Sequence, residues 1–248
     1  MIATRSAAEL AVMREAGRVT ARALRAVGDA VAPGVTTGEL DEIAVEVISA
    51  AGARAAFLGY HGFPATVCAS LNREVVHGIP GRRKLRQGDI LSVDVGAVVD
   101  GYFGDAARTF PVGRVSNEAV RLLTATREAL EAGIACCVPG MRLGDIGAAV
   151  QRVAEGAGFS VVREYVGHGI GRAMHEDPQV PNYGTVGKGP ALRAGMVLAI
   201  EPMVNAGDAD VRQLADGWTV VTADGSLSAH FEHTIAVTNE GPSVLTLE

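Results

Sequence analysis

One pattern occurs twice in the chain and restricts its fold more than any other feature. Pro33-Gly34-x-x-x-Gly38-Glu39-Leu40 returns 106 residues later as Pro139-Gly140-x-x-x-Gly144-Asp145-Ile146, and Gly52 falls on Gly158 at the same offset. Slipped by one further residue, His61-Gly62 meets His168-Gly169. Each copy reads as a long helix, a Pro-Gly break, a shorter helix and then strands. Self-similarity at a long fixed period implies repeated units that bury their apolar faces against each other. The expectation is an α+β chain whose 248 residues form one domain. Its two pseudo-symmetric halves, about 1–113 and 114–248, would face each other across a site.

Local signals supply the elements. Ser6-Ala7-Ala8-Glu9 and Thr36-Thr37-Gly38-Glu39 are capping boxes, in which hydroxyl and carboxylate satisfy the orphan amides of a helix start. They predict helices from Leu10 to about Val31 and from Leu40 to Gly52. Asn117 to about Cys137 and Gly144 to Glu155 read as the second pair. Strands are expected around Ala55–Leu58, Ala65–Ser70, Val161–Val166, Met196–Val204, Trp218–Thr222 and Leu227–Val237.

The stretch Ile90–Pro111 is the chemically informative one. Asp100-Gly101 supplies the positive φ that a two-residue hairpin turn requires, and an apolar strand lies on either side. Asp94 sits in the first strand and Asp105 in the second. A carboxylate inside a buried strand is costly unless something neutralises it. The stretch holds no Lys and one Arg, Arg108. That leaves a metal ion, or Arg108 together with backbone amides. In the second half Glu201 and Glu232 also lie in apolar strand-like settings, and His168 is flanked by Gly167 and Gly169. Four carboxylates and one imidazole, with no thiolate, form a hard, oxygen-rich set suited to a pair of Mn, Fe(II), Co or Zn ions.

Composition excludes several classes. A net charge of −6 gives no basic footprint for DNA, and the Arg82-Arg83-Lys84 and Arg86 cluster reads as a solvated loop. No apolar run approaches the ~20 residues that span a bilayer, and MIATRSAAEL lacks a signal-peptide core. Three cysteines make no disulfide framework. A cytoplasmic setting is expected.

Val75-Val76-His77-Gly78-Ile79-Pro80, Asp94 with Asp105, Gly167-His168-Gly169-Ile170-Gly171 followed by His175, Ile200-Glu201-Pro202 and Phe231-Glu232-His233-Thr234 occur in this order. Together they resemble type I methionine aminopeptidases over essentially the whole chain. The resemblance implies the pita-bread (creatinase/aminopeptidase-like) fold, with strands enclosing a dinuclear metal site. It also implies a hydrolase that removes the initiator methionine from nascent polypeptides, preferring a small second residue. Asp94 would chelate one divalent ion, His168 and Glu201 would hold the other, and Asp105 and Glu232 would bridge both. A bridging hydroxide would attack the first peptide bond, with Glu201 also shuttling its proton.

His77 and His175 match the two histidines that would meet the second residue's amide and the scissile carbonyl. Tyr60, Phe63, Cys68, Met174 and Trp218 would line the methionine pocket. Phe63 stands where relatives commonly have Tyr, and Met174 where they have an aromatic, changes that alter pocket shape and keep its apolar character. Asn72 and Ser228 match positions that hold a monovalent cation. His61 and His233 are assigned no fixed role, and His230 is placed outside the site. The resemblance further implies a monomer, with Arg82–Arg86 as a candidate ribosome contact. The absence of a cysteine-rich leader, and of room for an insertion between His175 and Glu201, points to the minimal bacterial form. A prolidase-like enzyme of this fold would be expected to carry a further N-terminal domain. A phosphoesterase would want more cations than Arg108 and Arg172, and a non-enzymatic relative would be expected to have lost ligands.

Overall fold

The computed structural model describes residues 2–248. Four α-helices are present among these residues: α1 (Ala7–Ala30), α2 (Thr37–Ala50), α3 (Asn117–Ala135) and α4 (Leu143–Gly156). Both predicted capping boxes form: the Ser6 and Thr36 hydroxyls accept from the amides of Glu9 and Glu39, whose carboxylates accept in return. Arg142 offers no such oxygen at the start of α4, and there the Asp145 carboxylate accepts from the amides of Arg142 and Gly187 instead.

The repeat extends into the backbone. α2 and α4 share first and last residues at an offset of 106. Gly34 and Gly140 adopt φ of 96° and 92° in the turns between the paired helices, and Gly52 and Gly158 adopt 67° and 86° just past the C-caps of α2 and α4. The match of His61 with His168 does not extend to structure. His61 lies in a 3₁₀ turn, Tyr60–Gly62, and His168 in the strand Gly167–Gly169.

Each half packs its helix pair on one face of a sheet. In the first, Leu91, Val93, Val95 and Ala97 point at α1 and α2. The strand Ile90–Val99 lies between Val67–Leu71 and Tyr102–Pro111, all antiparallel. In the second, Leu198 and Ile200 point at α3 and α4, in a sheet that runs Gly241–Val244, His233–Thr238, Val197–Ile200, Gly167–Gly169, Glu176–Val180. The other faces of the two sheets look toward a common centre. The sheets are joined where the Thr234 hydroxyl donates to the Asp105 carbonyl at 2.8 Å and the Glu232 amide donates to the Ala107 carbonyl at 2.8 Å.

Two expected strands are interrupted and two shrink to two residues each, Ala55–Leu58 being replaced by Arg54–Ala55. Met196–Val204 divides into Val197–Ile200 and Met203–Asn205, because Pro202 has no amide to give a ladder. Leu227–Val237 divides at Phe231-Glu232, where the chain leaves one sheet for another. Val161–Val166 shrinks to Ser160–Val161. Glu201 and Glu232 both sit in these breaks.

Close approach of α1 to the centre depends on glycine. A Cβ on Gly17 would lie 2.3 Å from the Leu245 carbonyl oxygen, and one on Gly104 would lie 2.7 Å from the Gly17 nitrogen. Gly17→Val is therefore expected to destabilise the fold by about 3 kcal/mol, since backbone cannot yield as a side chain can. Gly156→Ala, at the end of α4 with open space around it, is expected to be neutral or to stabilise by up to ~1 kcal/mol. Urea unfolding of both variants checks the contrast, and equal effects would overturn it.

Candidate metal centre

The hairpin register decides where its acids point. Asp94 pairs with Ala107 and Asp105 with Gly96 across the turn at Asp100 (φ 48°) and Gly101 (φ 79°). The two acids are thus diagonal neighbours on one face, the face turned away from α1 and α2. Arg108, three residues from Asp105, stands on the opposite face; it is exposed, and its guanidinium lies 5.1 Å from the Phe110 ring centroid. The salt-bridge alternative for these acids therefore fails.

The second sheet repeats the arrangement. His168 pairs with Ala199, and Glu201 lies two residues further along the same face. Carried one step past the strand ends, the register of His233–Thr238 on Val197–Ile200 sets Glu232 opposite Glu201. Ligand atoms of Asp105, His168 and Glu232, all buried, lie within 4.8 Å of one another. The His168 Nε2 is 3.4 Å from the Glu201 Oε1. The five residues expected to hold metal line one pocket.

The electrostatics of this cluster call for a cation. Burial raises the carboxyls of Asp94, Glu201 and Glu232 well above the usual range, and neighbouring Asp105 adds to each. Burial likewise lifts Asp105 to about 7. Asp94 Oδ1, Asp105 Oδ1 and Glu232 Oε1 are buried and lack a hydrogen-bond partner. No Lys or Arg is among the residues lining the pocket. The His168 Nδ1 lies 2.9 Å from the Gly169 carbonyl, so Nδ1 carries the proton and Nε2 is left as an acceptor. The Nε2 and the Glu201 carboxyl then face each other at 3.4 Å, a contact that either a proton held on Glu201 or a cation between them satisfies. Orphaned carboxylate oxygens and a correctly tautomerised imidazole fit divalent metal ions.

Above the acids the pocket encloses about 270 Å³. Tyr60, Phe63, Cys68, Met174 and Trp218 line it, with Phe57, Val76, Tyr165 and Met203 in addition. The Phe63 and Trp218 rings meet edge to face at 5.1 Å. His175 lies with its ring centroid 4.2 Å from that of His168, and its Nδ1 is 2.7 Å from the Tyr60 hydroxyl. His77, with a φ of 60°, packs edge-on to Tyr165 at 5.7 Å; burial and then His175 lower its pKa to about 4. His61 is exposed at the pocket rim against Tyr60. His233 lies on the helix-covered face, its Nδ1 2.8 Å from the Thr246 hydroxyl. Asn72 and Ser228 are adjacent, the Ser228 amide donating to the Asn72 carbonyl at 2.9 Å, and the Asn72 side chain bonds Asp89 and the Ile90 amide.

His230 corrects the sequence reading. It is 1 % exposed and lines the pocket, with Nε2 3.7 Å from the Glu201 Oε2. A signal was present in the sequence: residues two apart in a strand share a face, which places His230 beside Glu232.

The profile of metallopeptidase family M24 matches residues 11–239. The chain is similar to methionine aminopeptidase 1 of Bacillus subtilis, with 53 % identity over 99 % of both chains. It is similar in structure to a methionine aminopeptidase from Thermotoga maritima, with a TM-score of 0.98 and 48 % identity, each chain covered in full. A prolidase from Pyrococcus furiosus shares the fold alone, with a TM-score of 0.77 and 19 % identity over 99 % of this chain and 65 % of that one.

Proposed function

The chain belongs to metallopeptidase family M24, in its pita-bread fold, and from that premise we propose that it is the aminopeptidase that removes N-terminal methionine from nascent proteins and peptides. The observation that carries this reading is the convergence of Asp94, Asp105, His168, Glu201 and Glu232 beneath an apolar, sulfur-containing pocket.

Asp94 on one side, His168 and Glu201 on the other, and Asp105 and Glu232 between them are the residues to hold two divalent ions. When bound, such ions supply Lewis acidity and a water of lowered pKa. Glu201, placed beside His168 at the edge of the acid cluster, would take the proton of the attacking water and deliver it to the departing amine. The Tyr60 hydroxyl, by donating to the His175 Nδ1, leaves Nε2–H to donate to the scissile carbonyl and its developing negative charge. His77 would hold the amide of the second residue. Phe63, Cys68, Met174 and Trp218 receive the methionine side chain, whose thioether suits aromatic edges and soft sulfur contacts. The same reading favours small second residues, a monomer and a cytoplasmic setting; among the described residues no helix is long and apolar enough to cross a membrane. In the basic loop Arg83 is engaged by Glu74 at 2.5 Å, leaving exposed Arg82, Lys84 and Arg86 as the side chains for a ribosome contact.

Release of methionine from Met-Ala-Ser tests the proposal. Release is expected to vanish on chelation and to return with Co, Mn or Fe(II), and Met-Leu or Met-Lys peptides are expected to be cut far more slowly. No release with any metal would overturn the activity, and equal rates on the bulky peptides would overturn the second-residue preference.

A further inference from the structure

We propose that His230 is a positioning residue that holds the Glu201 carboxylate from the side opposite His168. The inference rests on the metallopeptidase reading above and concerns a side chain that the family motifs do not include. Glu201 is bracketed by two imidazoles, with Oε1 facing the His168 Nε2 at 3.4 Å and Oε2 facing the His230 Nε2 at 3.7 Å. The His230 Nε2 is buried and has no hydrogen-bond partner, and a buried polar atom in that state is costly unless its site gives it one.

The backbone of His230 is held from two directions. It pairs with Met203 in the antiparallel ladder Met203–Asn205 against Ser228–His230. Its amide donates to the Thr109 hydroxyl at 2.8 Å, and that hydroxyl donates to its carbonyl at 2.9 Å. Thr109 belongs to the hairpin that carries Asp94 and Asp105, so the imidazole is referenced to the acid hairpin while it faces Glu201. Glu201 itself lies just past the end of the strand Val197–Ile200, where Pro202 ends the ladder, so its orientation depends on side-chain partners. An Nε2–H donor closing a small gap to Oε2 would fix that carboxylate's orientation; polar contacts of this kind tighten when a site is loaded. Partners that orient a metal-binding carboxylate typically contribute ~10- to 100-fold to metal affinity or rate.

The test is calorimetric titration of the full chain with Mn(II), together with steady-state release of methionine from Met-Ala-Ser, for the native protein and for His230→Leu, His230→Asn and His230→Gln. Leu and Asn are expected to weaken Mn(II) binding by roughly 10- to 100-fold and to lower kcat by a similar factor, with KM for the peptide within about twofold. Gln, whose amide reaches further than that of Asn, is expected to restore both. The Asn–Gln contrast stands even if the Leu variant does not fold. Native affinity and kcat in the Leu and Asn variants would overturn the proposal. So would loss of a whole equivalent of Mn(II) in all three variants, which would make His230 a ligand. A native chain that takes up no ion would instead reject the metallopeptidase reading itself.

Discussion

Asp105→Asn is expected to abolish measurable methionine release. Asp105 sits at the centre of the acid cluster: its ligand atom lies within 4.8 Å of those of His168 and Glu232, and after burial its charge is the next cause that raises the carboxyls of Asp94, Glu201 and Glu232. The Asn amide keeps the volume and one oxygen while removing the negative charge that would offset two cations. Groups that merely orient ligands are worth ~10- to 100-fold, so if two ions share Asp105 as proposed, its loss should exceed the upper end of that range. In the metal-free protein the same change is expected to raise stability above neutral pH, because it removes the buried acid that ionises first and whose charge opposes ionisation of the other three. Opposite signs for activity and metal-free stability distinguish loss of a ligand from loss of fold. Peptide turnover, bound metal per chain and urea unfolding after chelation provide the three readings. Undiminished turnover with full metal content would reject the assignment.

The stability of the metal-free protein is expected to fall as pH rises above neutrality. Burial holds Asp94, Glu201 and Glu232 well above ordinary carboxyl values and Asp105 at about 7. Above about pH 4 the unfolded chain has released these protons while the folded chain keeps them, so their contribution to stability is lost as pH passes the folded values. Burial lowers His168 and His230 to about 3 and His77 and His233 to about 4, with the opposite sign. Below about pH 6.5 the unfolded chain protonates these imidazoles and the folded chain does not, a penalty that is gone above that pH. The two sets oppose each other between about pH 4 and 6.5; of the two, only the carboxyls titrate beyond, and the buried Cys68 and Cys137 thiols, also raised, act in the same direction at the alkaline end. The melting midpoint after chelation should therefore drop between about pH 6.5 and 8.5, and the upward shift on adding Mn(II) should grow over the same range. Scanning fluorimetry at three pH values reads both. A flat or rising metal-free midpoint would show that the carboxyls are not held protonated.

Helix boundaries, the paired Pro-Gly breaks and the common face of Asp94 and Asp105 were all legible in the linear chain, because each depends on contacts only a few residues apart. A capping box is closed by a residue three positions on, and a two-residue turn sets the register of its own hairpin. The outward direction of Arg108 and the inward direction of His230 also follow from strand parity. Parity alone does not say which face is the site face, so Arg108 stays a candidate partner and His230 an outsider until the two sheets are packed together.

What the tertiary structure alone decided is where the second-half strands break and what those breaks accomplish. Pro202 and the sheet change at Phe231-Glu232 release Glu201 and Glu232 from regular ladders. The Glu232 amide and the Thr234 hydroxyl then dock on the backbone of the first-half hairpin, at Ala107 and Asp105. That seam joins residues more than 100 positions apart. Sequence determined which groups could hold a metal, since their identities and local faces are short-range properties. Only the packing of one half against the other decided that they meet, because no local periodicity encodes the distance between two strands that are not neighbours in the chain.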